Sequence, residues 1–257
     1  MKTSFRMLEP SALQLIAREM NSKGSSCVAN FLTLEQLKSL QLSVSDEAEK
    51  HPGSYFAHHG GPEIEASLLG ALGASQDFRA MLETVYQACA GKPAYSNEIL
   101  KVLRCVQGAS GHRESNCFHY DASLVTALLP IEIPQEGTDR GDLILFPNLR
   151  RIRSNVLFNV VEKTLLQNAL GRRLISAAIK HRILRPEKLQ LVPGNLYLFW
   201  GYRTLHANEP CDPAKRRATA IFHYGDPHAG SFATRIILKL NQRRARRATA
   251  MGTQPTV

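Results

Sequence analysis

The chain has 257 residues and a formal net charge of +10; 44% of its residues are hydrophobic and 21% charged. That balance excludes a disordered or fibrous chain and suits one large core or a core with decorations. Five scattered cysteines with no CxxC exclude a disulfide framework and a thiolate zinc site, and no run of about 18 apolar residues offers a bilayer span.

The N-terminal stretch lacks an apolar h-region and a small-residue cleavage site, so a secretory signal is not expected and a reducing cytoplasm is. Ser11–Met20 reads as a short amphipathic helix. Thr33 and Gln36 have the form of a capping box opening a helix towards Glu49. "HPGSYFAHHGGPE" reads as a Gly/Pro/His-rich loop, with His58 and His59 an exposed pair rather than metal ligands. Ser75 caps a further helix carrying Phe78, Met81, Leu82, Val85 and Cys89, stopped by Gly91 and Pro93.

From Glu98 the texture becomes β. "EILKVLRCVQG", "VTALLPIEI", "GDLILFP", "GNLYLFW" and "RRATAIFHY" are short strands between turn signals, the pattern of a sandwich or barrel. One segment interrupts it, at about residues 149–188. Val156, Val160, Val161, Leu165 and Leu166, then Leu170, Leu174 and Ile175, recur at helical spacing. From Arg150 to Lys188 there are ten Lys/Arg against two Glu. This helical insertion is either a basic lid that recruits an anionic substrate or a surface pair covering the barrel or a second copy of the chain, a homodimer. A second basic tract, Arg235–Arg247, reads as a solvated helix or frayed tail. No aromatics interleave with the basic residues as stacking platforms would, so a nucleic-acid partner is not expected.

The chemistry concentrates in "NCFHYDASLVTALL". In an extended chain His119 and Asp121 point to the same side and can meet one metal ion. A facial triad of two His and one carboxylate with open positions suits non-haem Fe(II). His206, after the strand "GNLYLFW", is the candidate for the second His. Arg217 and Thr219 are again two apart on one strand face, and a guanidinium beside a hydroxyl can hold the far carboxylate of a dicarboxylate co-substrate. Arg217 is preferred over Arg216 because Thr219 supports it. His223 shares that face and is read as a hydrogen-bonded core histidine. Trp200 is read as core packing. His112, Arg113, Tyr202 and Arg203 are candidates for the substrate side of the site.

HxD, a distant His, and Arg-x-Thr eleven residues after it together resemble the Fe(II)/2-oxoglutarate-dependent dioxygenase superfamily over about Glu98 to Asp226. "LHANEP…RRATAIFHYGD" is most similar to its phytanoyl-CoA hydroxylase-like branch and to bacterial amino-acid hydroxylases. The basic insertion is not a general feature of that family. The resemblance implies a mainly β, α+β fold: a double-stranded β-helix (jelly roll) with N-terminal helices outside it and the helical insertion between two core strands. Residues 1–257 would form one domain: helical support over 1–97, jelly-roll core over 98–234, basic tail over 235–257. It further implies Fe(II) on His119, Asp121 and His206, 2-oxoglutarate gripped by Arg217 and Thr219, O2 as oxidant, and release of succinate and CO2. With Asp121 present, hydroxylation or a related oxidation is expected rather than halogenation. The expected substrate is a small molecule, an amino acid or secondary-metabolite intermediate. The alternatives are a nucleic-acid or protein demethylase or hydroxylase of the same superfamily, and a non-catalytic jelly-roll binding protein.

Overall fold

In the computed structural model of the chain, residues 5–112, 114–152, 175, 177–179 and 181–228 are described. Helices α1 (Pro10–Ser22), α2 (Leu34–Glu49) and α5 (Gln76–Ala90) lie where the apolar spacing predicts them. The Thr33–Gln36 capping box is formed on α2. Ser75 caps α5, which Gly91 ends in a left-handed conformation at φ 68°. Two shorter helices, α3 (Pro62–Glu65) and α4 (Leu68–Ala74), lie between them.

The N-terminal region also gives two strands that its sequence does not announce: β1 (Ser25–Val28) and β2 (Phe56–His59). The expected loop around His58 and His59 is therefore a strand in part. With four residues each, neither has room for an alternating pattern, and each is defined by the edge it joins. The remaining strands are β3 (Ile99–Val106), β4 (Val125–Glu132), β5 (Leu143–Phe146), β6 (Glu187–Leu189), β7 (Leu196–Phe199), β8 (Leu205–Asn208) and β9 (Arg217–Tyr224), with one helical turn, α6 (Gly108–His112), after β3. A six-stranded sheet runs β1-β7-β4-β9-β3-β2 and a three-stranded sheet runs β6-β5-β8; every pairing is antiparallel. This is the expected jelly-roll, α+β architecture. Pro130 interrupts the β4–β9 ladder, where the register shifts between Pro130 and Glu132.

Side-chain alternation gives the large sheet two different faces. From β9, Ala218, Ala220, Phe222 and Tyr224 point into the core shared with the helices, as do Val125, Ala127, Leu129 and Ile131 of β4. The intervening Arg217, Thr219, Ile221 and His223, with Thr126 and Leu128, line a cavity between the sheets. Most of the insertion, including Val156 to Leu174, lies outside the described residues, as does the tail from residue 229. Residues 175 and 177–179 are helical, and Ile175 and Ile179 pack against a cluster of Phe118, Ile144, Phe146, Leu205 and Ala207. Arg150, expected to open the basic surface, is instead buried. Its guanidinium lies 4.0 Å from the ring centroids of both Tyr120 and Tyr202.

Phe222 is fully buried and meets Phe78 of α5 edge-on, ring centroids 5.0 Å apart. Phe222→Ala is expected to destabilise the fold by about 3–5 kcal/mol, read from the denaturant midpoint at unchanged slope.

Candidate metal centre

His119 and Asp121 do not ride on β4, which begins four residues later. They sit on an extended segment clamped to the small sheet. His119 N–H donates to the His206 carbonyl and His206 N–H to the His119 carbonyl, each at 3.0 Å. Asp121 N–H donates to the Gly201 carbonyl at 3.0 Å. These bonds bring the two imidazoles to a ring-centroid distance of 4.3 Å.

Each ring is oriented by a backbone carbonyl. His119 Nδ1 is 2.8 Å from the Cys117 oxygen, and His206 Nδ1 is 3.0 Å from the Thr204 oxygen. A carbonyl can only accept, so each Nδ1 carries the proton and each Nε2 is left with its lone pair. Both Nε2 atoms lie 3.6 Å from Asp121 Oδ1. The other carboxylate oxygen accepts from the Thr126 hydroxyl at 2.5 Å. Glycine at 201 is required here: a Cβ would stand 2.1 Å from Thr126 Oγ1 and 2.3 Å from Asp121 Oδ2.

Burial would raise the Asp121 carboxyl. The imidazoles, His206 foremost, and the Thr126 hydroxyl outweigh it and hold the group well below the usual carboxylate range. Burial pushes His206 down to about 4, with Asp121 opposing. At neutral pH His206 is therefore neutral and Asp121 ionised, and the donor atoms of the triad crowd together, all within 4.8 Å of one another. A divalent cation relieves that repulsion, and two nitrogens with one carboxylate oxygen suit Fe(II).

Arg217 lies in the same cavity, 1% exposed. Its Nε donates to the Gly141 carbonyl at 2.6 Å, one terminal nitrogen to Thr219 Oγ1 at 3.3 Å, and the other to Asn208 Oδ1 at 2.9 Å. A Cβ at Gly141 would stand 2.4 Å from Arg217 Cδ. Burial, and secondarily the nearby Arg104, lower Arg217 to about 9, which leaves it charged at neutral pH. Arg216 is outside the cavity, paired with Glu132 at 2.7 Å.

Of the four candidates for the substrate side, the three that are described do not line the cavity. His112 is exposed on α6 and does not line the cavity, and Arg113 lies outside the described residues. Tyr202 and Arg203, in the turn after β7, do not line the cavity. Arg203 and Thr204 N–H both donate to the Trp200 carbonyl. Tyr202 is buried in the helix-side core with its hydroxyl 3.0 Å from His228 Nε2, and Arg203 bonds Asn21 and Cys89. Trp200 is core, its indole N–H on Asn21. His223, read as a core residue, lines the cavity with its Nδ1 3.7 Å from Asp121 Oδ2.

Residues not singled out in the sequence complete the lining. Asn208 is two beyond His206 on β8, so period-two alternation was the available signal for it, whereas Arg104 lies on β3 opposite Thr219 and is placed only by the pairing of distant strands. Arg104 is 3.4 Å from Glu114 and lies 5.5 Å over the Tyr55 ring, its Nε without a hydrogen-bond partner. Cys117, Phe199 and Ala207 contribute further.

No family model matches the chain, and no curated protein matches it. Solved structures do. A Pseudomonas putida prolyl-4-hydroxylase is 14% identical at a TM-score of 0.51, over 83% of this chain and 98% of that one. A Trichoplax adhaerens prolyl hydroxylase, in complex with a hypoxia inducible factor oxygen degradation domain peptide fragment, is 16% identical at 0.53, over 85% and 90%. Prolyl 4-hydroxylases from Phytophthora capsici give 16% identity at 0.54, over 90% and 70%. At these identities the likeness is one of fold.

The His206 shift has a pH signature. Its folded value, about 4, lies below the 6.5 of an unperturbed imidazole, so the unfolded chain binds the proton more readily. Stability of the metal-free protein is expected to fall as pH drops from about 6.5 to about 4, with Asp121 adding loss in the same direction below that. His206→Asn should flatten the upper part of this profile, read as the urea midpoint against pH; an unchanged profile would contradict the assignment.

Proposed function

We propose that this protein is an Fe(II)- and 2-oxoglutarate-dependent dioxygenase that hydroxylates an unactivated C–H bond of a small molecule. The observation that carries the reading is one cavity holding both halves of the chemistry: three converging metal donors and, on the same strand face, a buried guanidinium with a hydroxyl beside it. The fold shared with prolyl hydroxylases supports it.

His119, Asp121 and His206 would hold Fe(II) through Nε2, Oδ1 and Nε2. Bound there with 2-oxoglutarate and O2, the metal supplies an oxidation strong enough for a C–H bond, 2-oxoglutarate leaving as succinate and CO2. The chain's own part is to bind, orient and exclude water. Arg217 would meet the distal carboxylate of 2-oxoglutarate, with Thr219 and Asn208 fixing the plane of its guanidinium. Leu128, Phe199 and Ile221 make part of the cavity wall apolar. Thr126 holds one oxygen of the Asp121 carboxylate, which would leave the other to the metal.

The cavity is about 60 Å³, a size that favours a small substrate. Arg104 is the second cation on its wall, which supports a substrate with an anionic group. Among the described residues no helix is long and apolar enough to cross a membrane. The five free cysteines support a reducing, cytoplasmic setting.

Succinate formed from 2-oxoglutarate, screened against amino acids, small carboxylates and proline-containing peptides, tests the reading. His119→Ala is expected to abolish turnover. Arg217→Ala is expected to raise the KM for 2-oxoglutarate by roughly 30-fold or more, as for a buried charged hydrogen bond worth at least ~2 kcal/mol. No iron uptake and no succinate with any of these classes would contradict the proposal.

A further inference from the structure

A second cluster of metal-ligand side chains shares no residue with the cavity lining. Glu47 is in the last turn of α2, His51 lies two residues beyond its end, and His58 is in β2. Their donor atoms lie within 4.8 Å of one another, as in the triad. Glu47 Oε1 is 3.0 Å from His58 Nε2 and 3.5 Å from His51 Nε2. The other carboxylate oxygen is held by Lys50 Nζ at 2.6 Å. The arrangement repeats that at Asp121: one oxygen tied to a neighbour, the other facing two imidazoles.

The cluster is held in place by its surroundings. His51 N–H donates to the Ala48 carbonyl at 3.0 Å, and the His51 carbonyl accepts from Gln107 Nε2 at 2.7 Å. The His51 ring stacks on Phe56 at 4.7 Å. His58 is fixed by the β2–β3 ladder, opposite Leu103. Side-chain exposures of 12% for Glu47, 19% for His58 and 38% for His51 leave a water-facing side.

We propose that Glu47, His51 and His58 form a second divalent transition-metal site, of the Zn2+ class, that fastens the end of α2 to the edge strand β2. Two imidazole nitrogens and one carboxylate oxygen, with water as fourth ligand, make a tetrahedral N2O2 set. Bonds of about 2.0–2.1 Å in a tetrahedron separate ligands by roughly 3.4 Å, and the two measured separations, 3.0 and 3.5 Å, bracket that value. The site also borders the turn that leads to Tyr55, whose ring lies under Arg104 at the cavity wall.

The test uses the untagged full chain carrying Asp121→Ala and His206→Ala, which removes the first centre and makes the result independent of the iron reading. Titrated with Co2+ and followed by visible absorption, it is expected to take up one equivalent with the intense bands of a tetrahedral site, displaced by Zn2+. Adding His51→Ala, His58→Ala or Glu47→Gln is expected to weaken uptake by more than about a hundredfold, since loss of a ligand exceeds the 10–100-fold effect of its outer partners. Circular dichroism confirms that each variant is folded. No uptake by the folded double variant, or uptake indifferent to the three added substitutions, overturns the proposal. If the double variant does not fold, two equivalents of Co2+ on the unsubstituted chain falling to one in His58→Ala support the site, and one equivalent on both overturns it.

Discussion

The reciprocal pair of backbone hydrogen bonds between His119 and His206 is the constraint on which the candidate centre rests. Neither imidazole is placed by local geometry alone. His119 comes from a loop segment before β4, and His206 from the middle of β8 in the other sheet. Two main-chain bonds at 3.0 Å lock these segments opposite each other and turn both rings to the same side. The Asp121–Gly201 bond then fixes the carboxylate one step along. Because the mount is backbone, side-chain substitutions around it can alter the donors while leaving their platform intact.

The cavity's wall follows from the pleat of the large sheet. Along β9, and from Val125 to Leu129 of β4, every second residue belongs to the helix-side core and every other one to the cavity. Stability and chemistry are thereby separated within one strand. Phe222 holds the helices while its neighbours Ile221 and His223 face the cavity. A one-residue slip of β9 would bury Ala218 and Ala220 in the cavity and drive Arg217 into the core. The shift between Pro130 and Glu132 stands where β4 meets the Arg217 end of β9, so the irregularity is confined to that end of the ladder.

Much of this was legible in the sequence because it depends on short-range pattern. Alternation in "RRATAIFHY", the Gly-led strands and the caps at Thr33 and Ser75 are local signals, and each leads to its element. The i, i+2 rule also placed His119 with Asp121 and Arg217 with Thr219. Applied once more it reaches Asn208 from His206, a step the sequence reading did not take. Tyr202 and Arg203 stand just before His206 in sequence, but the turn closed on the Trp200 carbonyl takes them out of the cavity lining. What remained hidden depends on long-range pairing: β1 and β2 as edge strands, Arg104 opposite Thr219, and the meeting of His58 with Glu47 and His51.

The central claim is that one cavity binds the metal and the co-substrate together. Anaerobic titration of the Fe(II)-loaded protein with 2-oxoglutarate, followed by visible absorption, tests it most directly, because a charge-transfer band arises only when the 2-oxo acid chelates protein-bound iron. The account predicts a band that saturates at one 2-oxoglutarate per chain and is absent from His206→Ala. No band in the unsubstituted protein, or an equal band in His206→Ala, would contradict it.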